Sequence, residues 1–419
     1  MRLIVLVLVT TFLWKLLMPS LAQSLLNSPF ALAWTYLTPE TLPYHAAVSN
    51  GENVYVPLSG GRILALKLET GETAWMENYP GDFTTRLQMN EEIIYAALAD
   101  RSRSDGEAVY QLVAIAADKG DILWQHPYSE MVTSLSVRPA GKAGRIYVGT
   151  VRGVLYALNS STGQPIWQFH TRGSIRGPVT QVGSSIYVGS DDGHLYALDA
   201  ADGTVRWAFK TGGPVRSPVE ACSKLVYFGS FDGWVYAVNK RTGKRAWRMR
   251  TGAAIQAKPT LVGGHLIVAS YDNFVYGLHP STGRIRWKVR LSGRIVADPL
   301  IGHDAVLVSA LRDHRLIVLN ARDGKVTNTI ELGQEFEIAG PPSLVDGTMI
   351  TITDRGIVAA RSPLSLPRQN APGRTSIERE SKELPRDGFM KRMLSTMPSR
   401  YPPDDSRHHP MTHIGRSQD

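Results

Sequence analysis

A glycine standing four residues ahead of a tryptophan recurs along this chain, and no other feature narrows its fold as far. The pair occurs as Gly71/Trp75, Gly120/Trp124, Gly163/Trp167, Gly203/Trp207, Gly243/Trp247 and Gly283/Trp287, with the last four copies forty residues apart. Longer strings repeat around it. Ile186–Thr211 reads IYVGSDDGHLYALDAADGTVRWAFKT, and Leu225–Thr251 reads LVYFGSFDGWVYAVNKRTGKRAWRMRT. A period of this length, made of short apolar runs between Gly/Asp turns, is that of a four-stranded propeller blade. In the first of these copies the predicted strands are Val179–Val182, Ser185–Gly189, His194–Leu198 and Thr204–Phe209. Asp191-Asp192-Gly193 and Asp202-Gly203 form the hairpin turns, where a residue must take positive φ. The inner strands are apolar on both faces, as strands buried between two neighbouring blades must be.

The chain ends do not fit a simple count of repeats. A seventh copy has Gly324 but carries Asn328 where tryptophan is expected, which predicts a weaker joint there. Pro342–Arg361 then supplies three strands and no fourth. Ala31–Tyr36, at the other end, carries Trp34 in phase with Trp75 but has no blade of its own. The two fragments complete each other. The expected fold is therefore all-β: an eight-bladed β-propeller of four-stranded antiparallel blades, the last closed by the N-terminal strand, with a seven-bladed ring as the alternative. Closure of this kind removes exposed sheet edges and ties the two chain ends together. Trp34, Trp75, Trp124, Trp167, Trp207, Trp247 and Trp287 are read as structural blade-locking residues. Each indole can lie on the turn glycine of an adjacent repeat, where no Cβ intervenes.

Outside the repeats the composition changes. Residues 1–22 have the pattern of a signal peptide: Arg2, an apolar run from Leu3 to Leu13, and small residues at Ser20 and Ala22. Trp14-Lys15 interrupts a run that is short for a membrane span, and an uncleaved anchor is the alternative. Residues 23–361 form the propeller. Residues 362–419, with eight prolines and ten basic against seven acidic residues, read as a disordered basic tail. Its His408, His409, Met411 and His413 are copper- or nickel-type donors without fixed geometry and are read as polar tail. The net charge of +9 leaves only a mild excess on the propeller once both ends are set aside, which argues against nucleic acid as a partner. Cys222 is the only cysteine; it takes a valine-like core position and rules out an intramolecular disulfide. Blade two carries a polar insertion, Asp100–Glu107, read as a protruding loop.

An apolar Tyr-Ala-Leu-Asp strand followed by a glycine turn and tryptophan, as in Tyr196–Asp199 with Gly203 and Trp207, resembles the quinoprotein-like family of PQQ-repeat propellers. The resemblance covers about Ala31–Arg361 and implies one of two functions. One branch holds dehydrogenases that bind pyrroloquinoline quinone and calcium at the channel. The other holds non-catalytic propellers, notably the periplasmic component of the outer-membrane β-barrel assembly machinery. The enzymes commonly stack a vicinal disulfide on the quinone and carry long insertions for calcium ligands. This chain has one cysteine and minimal loops. The resemblance thus implies an exported, monomeric, non-catalytic scaffold in the periplasm or cell envelope that binds a protein partner. It implies no cofactor, and attachment to the membrane through that partner or an uncleaved signal.

A binding face can be placed from the meander. Three residues after successive tryptophans stand His170, Lys210, Arg250 and Arg290, and near the next inner strands stand Arg176 and Arg216. All six are expected on the face bearing the turns between second and third strands, as a partial basic ring at the channel mouth that would attract an acidic partner segment. Asp192, Asp232 and Asp272 lie on the same face and are expected to pair with these cations as surface ion pairs. A carbohydrate- or polymer-binding module is the further alternative, with Phe231, Trp234, Tyr271 and Phe274 as its clustered aromatics.

Overall fold

A computed structural model describes residues 26–361 apart from 28, 39–45, 91, 103–106, 139–143 and 296. The signal sequence, the tail with its histidines and the tip of the blade-two insertion lie outside the described residues. The rest is all-β: eight antiparallel sheets, six of them (blades one and three to seven) simple four-stranded meanders in chain order. Blade four consists of Thr180–Val182, Ser185–Gly189, His194–Asp199 and Val205–Lys210, within a residue or two of the boundaries expected from the repeat. Blade two is the irregular one. Its innermost strand is split into Asp82–Phe83 and Gln88–Met89, and between the halves Thr84, Thr85 and Arg86 line the channel while Leu87 packs in the core.

The eighth blade takes strands from both chain ends. Ala31–Leu37 pairs antiparallel with Gly356–Arg361, placing Trp34 opposite Ala359, and Thr348–Thr353 and Ser343–Val345 complete the sheet. Trp34 is buried in a cluster that also draws on Leu58, Leu64 and Leu66 of blade one and Ile352 and Ile357 of blade eight. One apolar core therefore spans the two halves of the closure.

Seven junctions between blades are built alike. Trp34, Trp75, Trp124, Trp167, Trp207, Trp247 and Trp287 lie against Gly71, Gly120, Gly163, Gly203, Gly243, Gly283 and Gly324 of the following blade. A Cβ on any of these glycines would come within 2.4–3.2 Å of the indole, and all seven have φ of 67–84°. Both the conformation and the approach therefore require glycine. Each indole Nε1 also donates to a main-chain carbonyl just ahead of that glycine, at 2.8–3.2 Å.

The eighth junction differs for a topological reason. The glycine belongs to the turn between third and fourth strands, and in blade eight those strands come from opposite chain ends, so no such turn exists. A tryptophan at position 328 would have no glycine to cover. Instead Asn328 donates from Nδ2 to the Leu26 carbonyl at 3.0 Å, and Thr327 Oγ1 donates to Asn27 Oδ1 at 2.7 Å. Leu26 is only 2 % exposed and packs among Ala305, Leu316, Val318, Ile330 and Phe336. The joint is thus not an eroded copy of the others, as the missing tryptophan suggests, but one rebuilt around the N-terminal segment. Restoring the repeat by Asn328→Trp is expected to destabilise the protein by about 1–3 kcal/mol, the usual range for overpacking. A rise in the urea midpoint of that variant would contradict the account.

Candidate functional site

The first residues of the third strands (Val154, His194, Trp234, Phe274) pair with the last residues of the fourth strands (His170, Lys210, Arg250, Arg290). The ends of the outer strands therefore share one face with the turns between second and third strands and with the loops that join blades. All six candidate residues do lie towards this face, but not as a ring. His170, Lys210, Arg250 and Arg290 are exposed on the outermost strands. Arg176 and Arg216 sit in blade-joining loops and line the channel.

The aspartates expected to neutralise them have another task. Asp192, Asp232 and Asp272 each accept the N–H of the residue two positions on, at 2.9–3.0 Å, through Oδ1. Through Oδ2 each accepts a tyrosine hydroxyl (Tyr196, Tyr236, Tyr276) at 2.7–2.8 Å and an N–H from the preceding blade-joining loop at 2.7–3.0 Å. Among the described residues they are turn staples rather than ion-pair partners of those lysines and arginines, which corrects the sequence expectation; Asp192 also has His194 Nδ1 at 3.2 Å. The signal was present as an aspartate with tyrosine four residues on, in three successive repeats. Burial alone would push the Asp192 carboxyl up. The bonds from Tyr196 and from the N–H groups of Arg172 and His194 more than reverse this and hold it below its usual range. Burial and Asp232 together push the Tyr236 hydroxyl up to about 12. Because the folded Asp192 carboxyl titrates lower than the unfolded one, its stabilisation is complete above the unfolded value near 3.8 and is lost as pH falls through the folded value. Asp192→Asn is therefore expected to be less stable than the parent at neutral pH. The gap should close in acid below about pH 4; a gap independent of pH in thermal melts would refute the assignment.

The channel holds a cavity of about 200 Å³ lined by Thr84, Arg86, Thr133, Arg176, Arg216 and Asp298 among others. A second, of about 210 Å³, lies against Ala297, Leu311, Ile338 and Pro341. Arg86 and Gln256 line both. Arg86 was not legible beforehand, because it stands in the split strand of blade two, where the repeat breaks down. Asp191 lies between two arginines: Arg176 Nε donates to it at 3.0 Å, and Arg216 gives two bonds at 2.7 and 2.9 Å. Asp298 accepts the Lys258 N–H at 2.7 Å.

Beside the channel mouth, arginines and aromatic rings alternate. Arg216 stacks 4.7 Å over Phe231, Phe231 meets Tyr271 edge-on at 6.2 Å, and Arg294 lies 5.2 Å over Tyr271. Further out, Arg248 covers Trp234 at 4.1 Å and Lys288 covers Phe274 at 5.2 Å. Each of the four aromatics thus has a cation over its ring. Cys222 is half-buried against the core and accepts the Leu225 N–H at 3.4 Å. Among the described residues no group of three or more His, Cys, Asp or Glu is arranged to hold a metal ion.

With this geometry in view, the sequence matches the family described as "Outer membrane protein assembly factor BamB" over residues 109–230 and 231–366. The chain belongs to that PQQ-repeat propeller family. No curated protein matches it significantly. Among solved structures, BamB from Moraxella catarrhalis is similar with a TM-score of 0.63 at 16% identity, covering 82% of this chain and 99% of that one. The computationally designed Ika8 protein has a TM-score of 0.65 at 14% identity, covering 80% and 99%. Quinohemoprotein alcohol dehydrogenase from Comamonas testosteroni has a TM-score of 0.63 at 14% identity, covering 85% and 80%. At these identities the likeness concerns the fold, which scaffold, designed protein and enzyme share.

Proposed function

We propose that this chain is a non-catalytic docking propeller of the cell envelope, related in role to the outer-membrane assembly factor whose family it joins, and that it holds a protein partner on the loop face beside the channel mouth. The observation that carries this reading is the Arg216–Phe231–Tyr271–Arg294 patch, in which the first three side chains are half-buried and Arg294 is exposed. Arginine and large aromatic side chains dominate binding energy at protein interfaces, and here they are held in place by one another before any partner arrives. The residues do not suit a calcium–quinone centre. The channel carboxylates Asp191 and Asp298 are already engaged, and a single cysteine cannot form the disulfide on which a quinone would stack. Nor do the aromatics favour a sugar platform, since arginine or lysine already lies over Phe231, Trp234, Tyr271 and Phe274.

The test is capture from native envelopes by crosslinking, comparing the parent with Arg216→Glu/Arg294→Glu. The variant should lose at least about tenfold in partner recovery, as expected when a hot-spot pair is reversed, while its circular dichroism is unchanged. Unaltered recovery would remove the patch from the account. Dye reduction after adding pyrroloquinoline quinone and calcium would overturn the non-catalytic reading as a whole.

A further inference from the structure

The outermost strands carry very different charge from blade to blade. In blade five, Lys240, Arg241, Lys244, Arg245, Arg248 and Arg250 fall within eleven residues that contain no acid. In blade six, Arg284, Arg286, Lys288 and Arg290 follow one another with none between. Along both outer strands the cations are exposed and the tryptophan is buried. The two sets are neighbours, because Trp247 of blade five lies on Gly283, the residue before Arg284, and donates to the Pro280 carbonyl at 2.8 Å. Among the described residues none of these ten cations reaches a carboxylate within ion-pair distance, whereas each flanking blade has a paired arginine beside its outer strand. Arg206 of blade four pairs with Asp199 at 2.7 Å, and Arg322 of blade seven with Asp304 at 2.9 Å.

The lost carboxylates can be named. Asp199 and Asp202 of blade four correspond to Asn239 and Thr242 of blade five, and to His279 and Thr282 of blade six. The turn itself needs only a side-chain oxygen: Asn239 Oδ1 accepts the N–H groups of Arg241 and Thr242 at 3.0 Å, as Asp199 Oδ1 accepts that of Ala201 at 2.8 Å. The charge is therefore set independently of the fold, and two adjacent blades have shed it. Ile285 stands 48% exposed between Arg284 and Arg286 in the chain, an apolar side chain among cationic neighbours in sequence.

The chain also enters the propeller on this side. Leu26 is fixed to the outer strand of blade seven by Asn328, and blade seven adjoins blade six through Trp287 on Gly324. The apolar run Leu3–Leu13 lies upstream of that point by no more than about 45 Å of fully extended chain. From the unneutralised charge, the exposed isoleucine and this point of attachment, we infer that the rim of blades five and six docks on a membrane surface rich in anionic lipid headgroups. Long cationic side chains with an interspersed apolar one suit such an interface. The surface is distinct from the channel-mouth patch and does not depend on it.

The test is co-sedimentation of the full chain with vesicles of phosphatidylcholine alone or mixed with phosphatidylglycerol. Partitioning is expected to be at least about tenfold higher on the anionic vesicles at low salt and to collapse as salt screens the charges. Lys244→Glu/Arg245→Glu/Arg284→Glu/Arg286→Glu, all at exposed positions, should lower it by about a hundredfold or more. To compare like with like, Lys244→Glu/Arg284→Glu, which still lowers binding by about tenfold or more, is set against Lys67→Glu/Lys119→Glu on blades one and two, which should leave it unchanged. Equal binding to both vesicle types, full binding by the rim variant or an equal loss in the control would each overturn the inference. So would stronger retention by double-stranded DNA or by polyglutamate, which would assign the rim to a nucleic acid or an acidic protein.

Discussion

Trp207→Ala is expected to cost about 3–5 kcal/mol of unfolding free energy, the range for deleting a buried aromatic side chain. The indole is only 9% exposed, and it fills the space above Gly243, where a Cβ would come within 2.8 Å. Its removal opens a cavity at the blade-four/blade-five junction and leaves the Lys240 carbonyl without its donor. Trp207→Phe keeps a ring and loses chiefly the hydrogen bond, so its cost should fall nearer about 1 kcal/mol. Denaturant unfolding of the two variants gives the comparison. The junction would not carry the stability assigned to it if alanine shifted the unfolding free energy by no more than phenylalanine does. Trp247→Ala should behave like Trp207→Ala, because its junction with Gly283 is built the same way.

Removing residues 1–38 should have the largest effect of all. The truncated chain would present Gly356–Arg361 as an open edge and expose the cluster in which Ile352 and Ile357 meet Leu58, Leu64 and Leu66 of blade one. It would also strip Leu26 from the blade-seven joint. An uncovered apolar edge is a template for pairing with other chains, so the expected result is loss of the monomer in size-exclusion chromatography and loss of a cooperative unfolding transition. A synthetic peptide spanning residues 23–38 should restore both, since the closure is held by main-chain bonds and packing and not by chain continuity. A truncated protein that stays monomeric and unfolds at the parental midpoint would show that the closure contributes little.

How far the sequence carried the reading depends on how local each feature is. Blade boundaries were legible because every blade repeats the same alternation and the same glycine turns. Trp34 found its place because its phase with Trp75 could be counted. The role of Asn328 could not be read the same way. A missing tryptophan looks like decay until one sees that blade eight has no turn between its third and fourth strands for an indole to cover. Asp192, Asp232 and Asp272 were placed on the right face but given the wrong partners, because charge suggests arginine whereas the fold brings up a tyrosine hydroxyl and a main-chain N–H.

The candidate cations illustrate the same limit. His170, Lys210, Arg250, Arg290, Arg176 and Arg216 were put on one face by strand direction alone, which is a matter of counting. Their division into an outer rim and a channel pair depends on how far each strand lies from the axis, and direction says nothing about radius. Arg86 reaches the channel only because the first strand of blade two is split.

The repeat by itself thus determined the architecture, since a forty-residue period of apolar strands can bury both faces only by stacking blade on blade around an axis. Tertiary structure alone decided which charges meet and which are left without a partner. Those distances are set where a blade meets its own turns and the loops beside it, as when Asp191 receives both Arg176 and Arg216, and they exist only once the strands have paired and the blades have stacked.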